Sequence, residues 1–169
     1  MIFLTVGTQL PFDRLVRAVD DWCARSDNHD VFGQIAGGYR PRHFEWSPFV
    51  EPEEFDRRFA DADLVVAHAG MGTVISALTF GRPLLMLPRR ASLGEHRNDH
   101  QVATARQFGG RPGIHVAEDE MQVPSLLTVL HGRHDQVDAS QATPRPHADE
   151  SIISAVRGVI FGEDGHGAT

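Results

Sequence analysis

The stretch from residue 63 to residue 101 constrains the fold more than any other. It opens with Leu64-Val-Val-Ala67, an unbroken apolar run of the kind a strand shows when both faces are covered. His68, Gly70, Gly72 and Thr73 follow at once. From Met71 to Phe80, apolar residues at Val74, Ile75, Ala77, Leu78 and Phe80 recur at helical spacing, and Gly81 with Pro83 ends the run. Leu84 to Leu87 is a second buried-type strand. It leads into Pro88-Arg89-Arg90 and then a dense polar segment, Glu95-His96-Arg97-Asn98-Asp99-His100-Gln101. Strand, glycine turn, helix, strand and polar loop make up the unit of an open α/β sheet. Such sheets bind ligands at the carboxyl ends of neighbouring strands. A helix that starts near Gly70 aims its unpaired N–H groups and partial positive charge at that edge, a setting suited to phosphate. Gly70-x-Gly72 alone does not demand a ligand, because a bare strand-to-helix turn uses the same residues.

The amino-terminal segment repeats the arrangement. Ile2 to Val6 reads as the first strand and Gly7-Thr8-Gln9 as its turn. Leu15, Val16, Val19 and Trp22 form the apolar face of a helix reaching about Ala24. Val31 to Ala36 and His43 to Trp46 read as the second and third strands. Glu51 to Ala62 reads as a helix with Phe55 and Phe59 in the core. His96 to Phe108 is the next helix, Ile114 to Ala117 the sixth strand, and Glu118 to Leu130 the helix after it. This alternation predicts an α/β, Rossmann-like three-layer fold with a parallel sheet of about six strands and right-handed crossovers. The first and fourth strands both feed glycine turns. The order 3-2-1-4-5-6 puts those two strands side by side at the switch point. Both turns then face one crevice, and Gly7–Gln9 with Gly70–Thr73 form a nucleotide-phosphate site.

Composition removes several classes. A chain of 169 residues suits one domain. A formal net charge of −7 argues against general nucleic-acid binding, which needs a basic face. Cys23 is the one cysteine, so no internal disulfide forms and a reducing cytoplasm is the natural setting. No apolar run approaches the roughly 20 residues of a membrane span. The chain opens directly on a strand, which is compatible with a free-standing half of something larger. Residues 1–131 read as the binding domain and 132–149 as a linker. Residues 150–161 read as an amphipathic helix for docking a partner or its own sheet, and 162–169 as a disordered tail. His131, His134 and His147 fit no tight ligand spacing, so no metal site is expected.

Four segments together carry a family signature. They are Phe3-Leu-Thr-Val-Gly-Thr-Gln-Leu-Pro-Phe-Asp-Arg-Leu15, Ala62-Asp-Leu-Val-Val-Ala-His-Ala-Gly-Met-Gly-Thr73, Gly81-Arg-Pro-Leu-Leu-Met-Leu-Pro-Arg-Arg90 and Gly94-Glu-His-Arg-Asn-Asp-His-Gln101. Over about residues 1–130 the chain resembles the C-terminal, nucleotide-sugar-binding half of the GT-B glycosyltransferases of family 28. It is most similar to the stand-alone subunits of bacterial exopolysaccharide synthesis and of the dolichol-linked N-acetylglucosamine transferase.

The resemblance implies a UDP-sugar donor, with no cofactor beside it. Gly7, Thr8 and Gln9, with Gly70, Met71, Gly72 and Thr73, would hold the diphosphate. Arg89 or Arg90 would help to stabilise it as a leaving group. Phe49 and Val50 would meet uracil, largely through backbone. Glu95, His96, Asn98, Asp99 and Gln101 would meet the sugar, and His68 matches the histidine of the family's His-x-Gly motif. Where many relatives carry a ribose-binding glutamate, this chain has Ser76. The acceptor site and the catalytic base belong to the other GT-B half. The resemblance therefore implies a membrane-associated, acceptor-binding partner at the inner face of the membrane, with self-association left open.

Two rival readings remain. A dehydrogenase wants Gly-x-Gly-x-x-Gly after the first strand and an acidic end to the second. Here those places read Gly7-Thr-Gln-Leu-Pro11 and Ala36-Gly-Gly38, so both markers fail. A non-catalytic UDP-sugar-binding regulator or scaffold is the other alternative.

Overall fold

The computed structural model describes residues 1–134. The expected linker beyond residue 134, the docking helix at 150–161 and the tail at 162–169 lie outside the described residues.

Six strands form one sheet: β1 (Ile2–Thr5), β2 (Val31–Gln34), β3 (Glu45–Ser47), β4 (Leu64–His68), β5 (Leu84–Leu87) and β6 (Ile114–Val116). All pairings are parallel and the order is β3-β2-β1-β4-β5-β6, as expected. The helices are α1 (Asp13–Ser26), α2 (Pro52–Asp61), α3 (Met71–Phe80), α4 (His100–Phe108) and α5 (Val123–His134).

Alternation along the strands sorts the side chains into two cores. Ile2, Leu4, Leu64, Val66, Leu85 and Leu87 point to one face, where α1 and α5 supply Leu15, Val19, Trp22 and Leu127. Phe3, Val65, Ala67, Leu84 and Met86 point to the other, where α2, α3 and α4 supply Phe59, Val74, Ala77 and Phe108. Phe55 and Phe59 both pack edge-on to Phe3, with centroids 5.3 and 6.1 Å away. Strands buried on both faces explain the unbroken apolar runs at 64–67 and 84–87. Cys23 lies in the first core, and burial pushes its thiol up to about 12, so it is a packing residue.

Three expected boundaries move. The third strand begins at Glu45 rather than His43, because Asp20 of α1 captures the preceding loop. Its carboxylate accepts from the backbone N–H groups of Arg42 (3.0 Å) and His43 (2.9 Å) and from the Tyr39 hydroxyl (2.6 Å). The helix expected from His96 begins at His100. The Asn98 side-chain oxygen accepts from His100 N, and Asp99 takes the cap position. The last described helix starts at Val123 and reaches His134, past the expected linker start. His131 keeps it docked: its ring packs edge-on to Trp22 at 5.8 Å and its Nε2 bonds the Asn28 amide at 2.8 Å. Among the described residues no cluster of His, Cys, Asp or Glu is placed to hold a metal ion. None of the described helices is long and apolar enough to cross a membrane.

Candidate functional site

β1 and β4 are neighbours in register, Thr5 opposite Ala67, so their two glycine turns emerge together at the carboxyl edge of the sheet. His68 ends β4 and its ring lies between the turns. A methyl group on Gly7 would sit 3.1 Å from His68 Cε1, and one on Gly70 only 2.3 Å from Nε2. Gly70 has an ordinary φ of −84°, so glycine is required there for space. Gly7 needs it for conformation as well, with φ +79°. At Gly72 a methyl would meet nothing within 4 Å, so that glycine leaves an open approach to the α3 terminus. The Gly-x-Gly pair thus divides its work: one member admits the imidazole and the other leaves room for a ligand.

The two turns present donors rather than acceptors. Carbonyls of Val6, Leu10 and Pro11 accept from the Arg89 guanidinium at 2.9, 2.7 and 2.6 Å. The Gly7 carbonyl accepts from the Gln34 amide at 3.3 Å. The N–H groups of Thr8 and Gln9 have no acceptor among the described residues. At α3 the first helical bond is Val74 N to Gly70 O, and no side chain caps the terminus. Its first N–H groups are therefore left for something outside the chain.

Two cavities open on these donors and share Gly7, Thr8 and His68 as a common wall. The first, about 430 Å³, runs from the α3 terminus (Gly72, Thr73, Ser76) to Phe49, Val50, Pro52, Phe55 and Asp56. It falls within the size range of small-molecule sites. The second, about 290 Å³, is lined by Gln9, Leu10, Arg89, His96 and Gln101. A hollow of about 470 Å³ at the opposite edge, among Asp30, Arg42, His43 and Arg58, has no glycine turn or helix start above it.

Electrostatics at the common wall favour an anion. Burial, aided by the Arg89 charge, pulls the His68 pKa down to about 4, so the ring is neutral at physiological pH. Its Nδ1 is buried and makes no hydrogen bond among the described residues. The Thr5 backbone is the one group favouring the protonated ring, and burial outweighs it. Arg89 is 2% exposed, and burial lowers its pKa from the usual value.

Of the expected site residues, Gly7, Thr8, Gln9, Phe49, Val50, His68, Gly72, Thr73, Arg89, His96 and Gln101 line the two cavities. Gly70 and Met71 form the turn beside them. Glu95, Asn98 and Asp99 are engaged by other groups of the chain, Asn98 and Asp99 within their own loop and Glu95 also by α1. The Glu95 carboxylate accepts from Arg14 Nε and Nη2 at 2.8 and 2.9 Å and from Arg90 N at 2.9 Å. Asp99 accepts from Ala91 N at 2.9 Å, and Gln101 Oε1 from Arg89 N at 3.1 Å. Sequence reasoning missed Thr5, Gln34, Pro52, Phe55 and Asp56 as lining residues. By sequence Phe55 reads as core, and nothing near Asp56 in the chain marks it as facing a cavity.

The sequence model of the glycosyltransferase family 28 C-terminal domain matches residues 1–131. One relative is the UDP-N-acetylglucosamine–N-acetylmuramyl-(pentapeptide) pyrophosphoryl-undecaprenol N-acetylglucosamine transferase of Agrobacterium fabrum. It is 29% identical over 121 residues, covering 69% of this chain and 31% of that protein. Another is the UDP-N-acetylglucosamine transferase subunit ALG13 of Mus musculus, 31% identical over 117 residues, 63% of this chain and 10% of that protein. The chain thus spans about a third or less of these relatives. Among solved structures, ALG13 in solution superposes with a TM-score of 0.57 at 16% identity, covering 94% of each chain. MurG of Acinetobacter baumannii superposes with a TM-score of 0.56 at 20% identity, covering 79% of this chain and 40% of that one. These structures share the fold. Since the match takes in most of the 169 residues, this chain belongs to the glycosyltransferase family 28 C-terminal domain family.

Proposed function

We propose that this chain is the donor-binding part of a UDP-sugar-dependent hexosyltransferase in polysaccharide synthesis. The observation that carries the reading is the convergence of two donor-rich glycine turns on one cavity wall, with a buried cation behind them. In this reading the diphosphate lies across the Gly7–Gln9 turn and the Gly70–Thr73 helix start. Uracil enters the larger cavity against Phe49 and Val50, and the sugar extends toward His96 and Gln101. Oriented N–H groups and the Arg89 charge stabilise the departing diphosphate without reorganising. Glu95, Asn98 and Asp99 serve by shaping the loop that carries His96. The names of the relatives favour N-acetylglucosamine as the sugar, with galactose and glucuronate as the other candidates.

The neutral, wedged His68 is poorly suited to take a proton, so the base for the acceptor hydroxyl is assigned to a separate partner. That partner, associated with the inner face of the membrane, holds the lipid-linked acceptor and recruits this chain from the cytoplasm. One observation favours a non-catalytic UDP-sugar-binding role instead: Glu95, Asp99 and Gln101 are all occupied within the chain.

Calorimetric titration with UDP, UDP-N-acetylglucosamine and NAD tests the donor site. UDP and its sugar should bind and NAD should not; equal binding of NAD, or no binding of UDP, rejects the reading. Radiolabelled transfer from UDP-N-acetylglucosamine to membrane lipid should need the partner's membranes. Full-rate transfer to a purified lipid acceptor by the chain alone would reject the two-part enzyme.

A further inference from the structure

Arg89 is a buried charge that no carboxylate pairs among the described residues. Its guanidinium spends its hydrogen bonds on the Val6, Leu10 and Pro11 carbonyls, and the Phe12 ring covers it 4.5 Å away. Glu95 is the acidic group whose charge it feels, and that carboxylate is already forked to Arg14. A buried ion without a counter-charge is costly, and a neutral donor would suffice merely to tether a loop. A charge retained in such a place needs a partner that arrives later.

The position of Arg89 says what that partner is. Arg89 holds the carbonyls of Val6, Leu10 and Pro11 on both sides of the Gly7–Gln9 turn, while the Thr8 and Gln9 N–H groups have no acceptor among the described residues. A turn whose flanking carbonyls are spent on a buried cation and whose own N–H groups are unspent is a cradle for an anion. We propose that Arg89 is the positioning residue of the diphosphate site: it shapes the Gly7–Pro11 turn for phosphate and provides the bound anion's counter-charge from behind the backbone. This inference rests on the donor-site reading above. It adds that affinity comes from Arg89 acting through the turn and scales with the number of phosphates.

Titration of uridine, UMP and UDP onto the wild-type chain, Arg89→Gln and Arg89→Lys tests it. In the wild type, affinity should climb at each added phosphate. In Arg89→Gln the UDP-to-uridine affinity ratio should fall at least tenfold while uridine binding changes less than twofold. Arg89→Lys keeps the charge but loses the fork, and its ratio should fall severalfold. Should Arg89→Gln fail to fold, the lysine variant carries the same comparison. An unchanged ratio in the folded variant, or an equal loss for uridine and UDP, overturns the proposal alone. If none of the three ligands binds the wild-type chain, the donor-site reading falls and takes this proposal with it.

Discussion

At the scale of single residues, His68 is the pin around which the site is built. Its ring fills the space that side chains on Gly7 and Gly70 would need, so the three positions form one packing unit. Gly70→Ala should drive a methyl into Nε2 and cost about 1–3 kcal/mol as overpacking. UDP affinity should fall at least tenfold with it, measured by urea unfolding and calorimetry. The titration of His68 gives a second expectation. Its folded pKa of about 4 lies below the ordinary histidine value of 6.5. Between those pH values the unfolded chain holds the extra proton, so stability rises with pH across the window and is flat above it. Acidification from pH 6.5 to 4 should remove on the order of 2 kcal/mol. In His68→Asn that slope should flatten. Asp20 acts lower on the scale. Burial opposes its ionisation, but the bonds from Tyr39, His43 and Arg42 prevail and hold its pKa below the usual value. Its contribution is therefore lost only on further acidification.

Secondary-structure elements show which parts of the site could be read from the chain. Strands buried on both faces and helices with one apolar face announce themselves by period, and the glycine turns by composition. Glu95 and Asp99 carry no such mark. The fold sets the partner of Glu95, Arg14 lying 81 residues before it on α1, while Asp99 accepts from Ala91 N within the loop, and neither bond is marked in the sequence. Asp56 and Gln34 carry no mark either, since facing a cavity leaves no local pattern. The Arg14–Glu95 pair itself can be tested. The Arg14 and Glu95 side chains are 12% and 15% exposed, so removing one charge strands the other in a mostly buried place. Arg14→Met should destabilise the chain by about 2–4 kcal/mol in denaturant unfolding. The double variant Arg14→Met with Glu95→Gln should recover part of that loss, because the one carboxylate it leaves without Arg14 is Glu120, which is 42% exposed and open to water.

For the molecule as a whole, strand order does most of the work. Setting β1 beside β4 joins turns that are sixty-odd residues apart in the chain, and the glycine turns after both strands, rather than alternation, point to that order, since β2 passes to β3 with no helix between them. The same edge carries exposed apolar side chains: Leu10 (46%), Phe49 (50%), Leu93 (56%) and Met121 (79%), on the loops after β1, β3, β5 and β6. In the two-part reading this rim faces the partner. Leu93→Asp with Met121→Asp should leave UDP titration unchanged but cut partner-dependent transfer at least tenfold. Equal transfer by the variant would place the partner elsewhere.

The outermost strands of the sheet have a consequence of their own. β3 and β6 are only three residues long, while β1, β2, β4 and β5 have four or five. A border that brief gives a stray peptide little ladder to extend. Concentrated samples should therefore resist fibril seeding along the sheet.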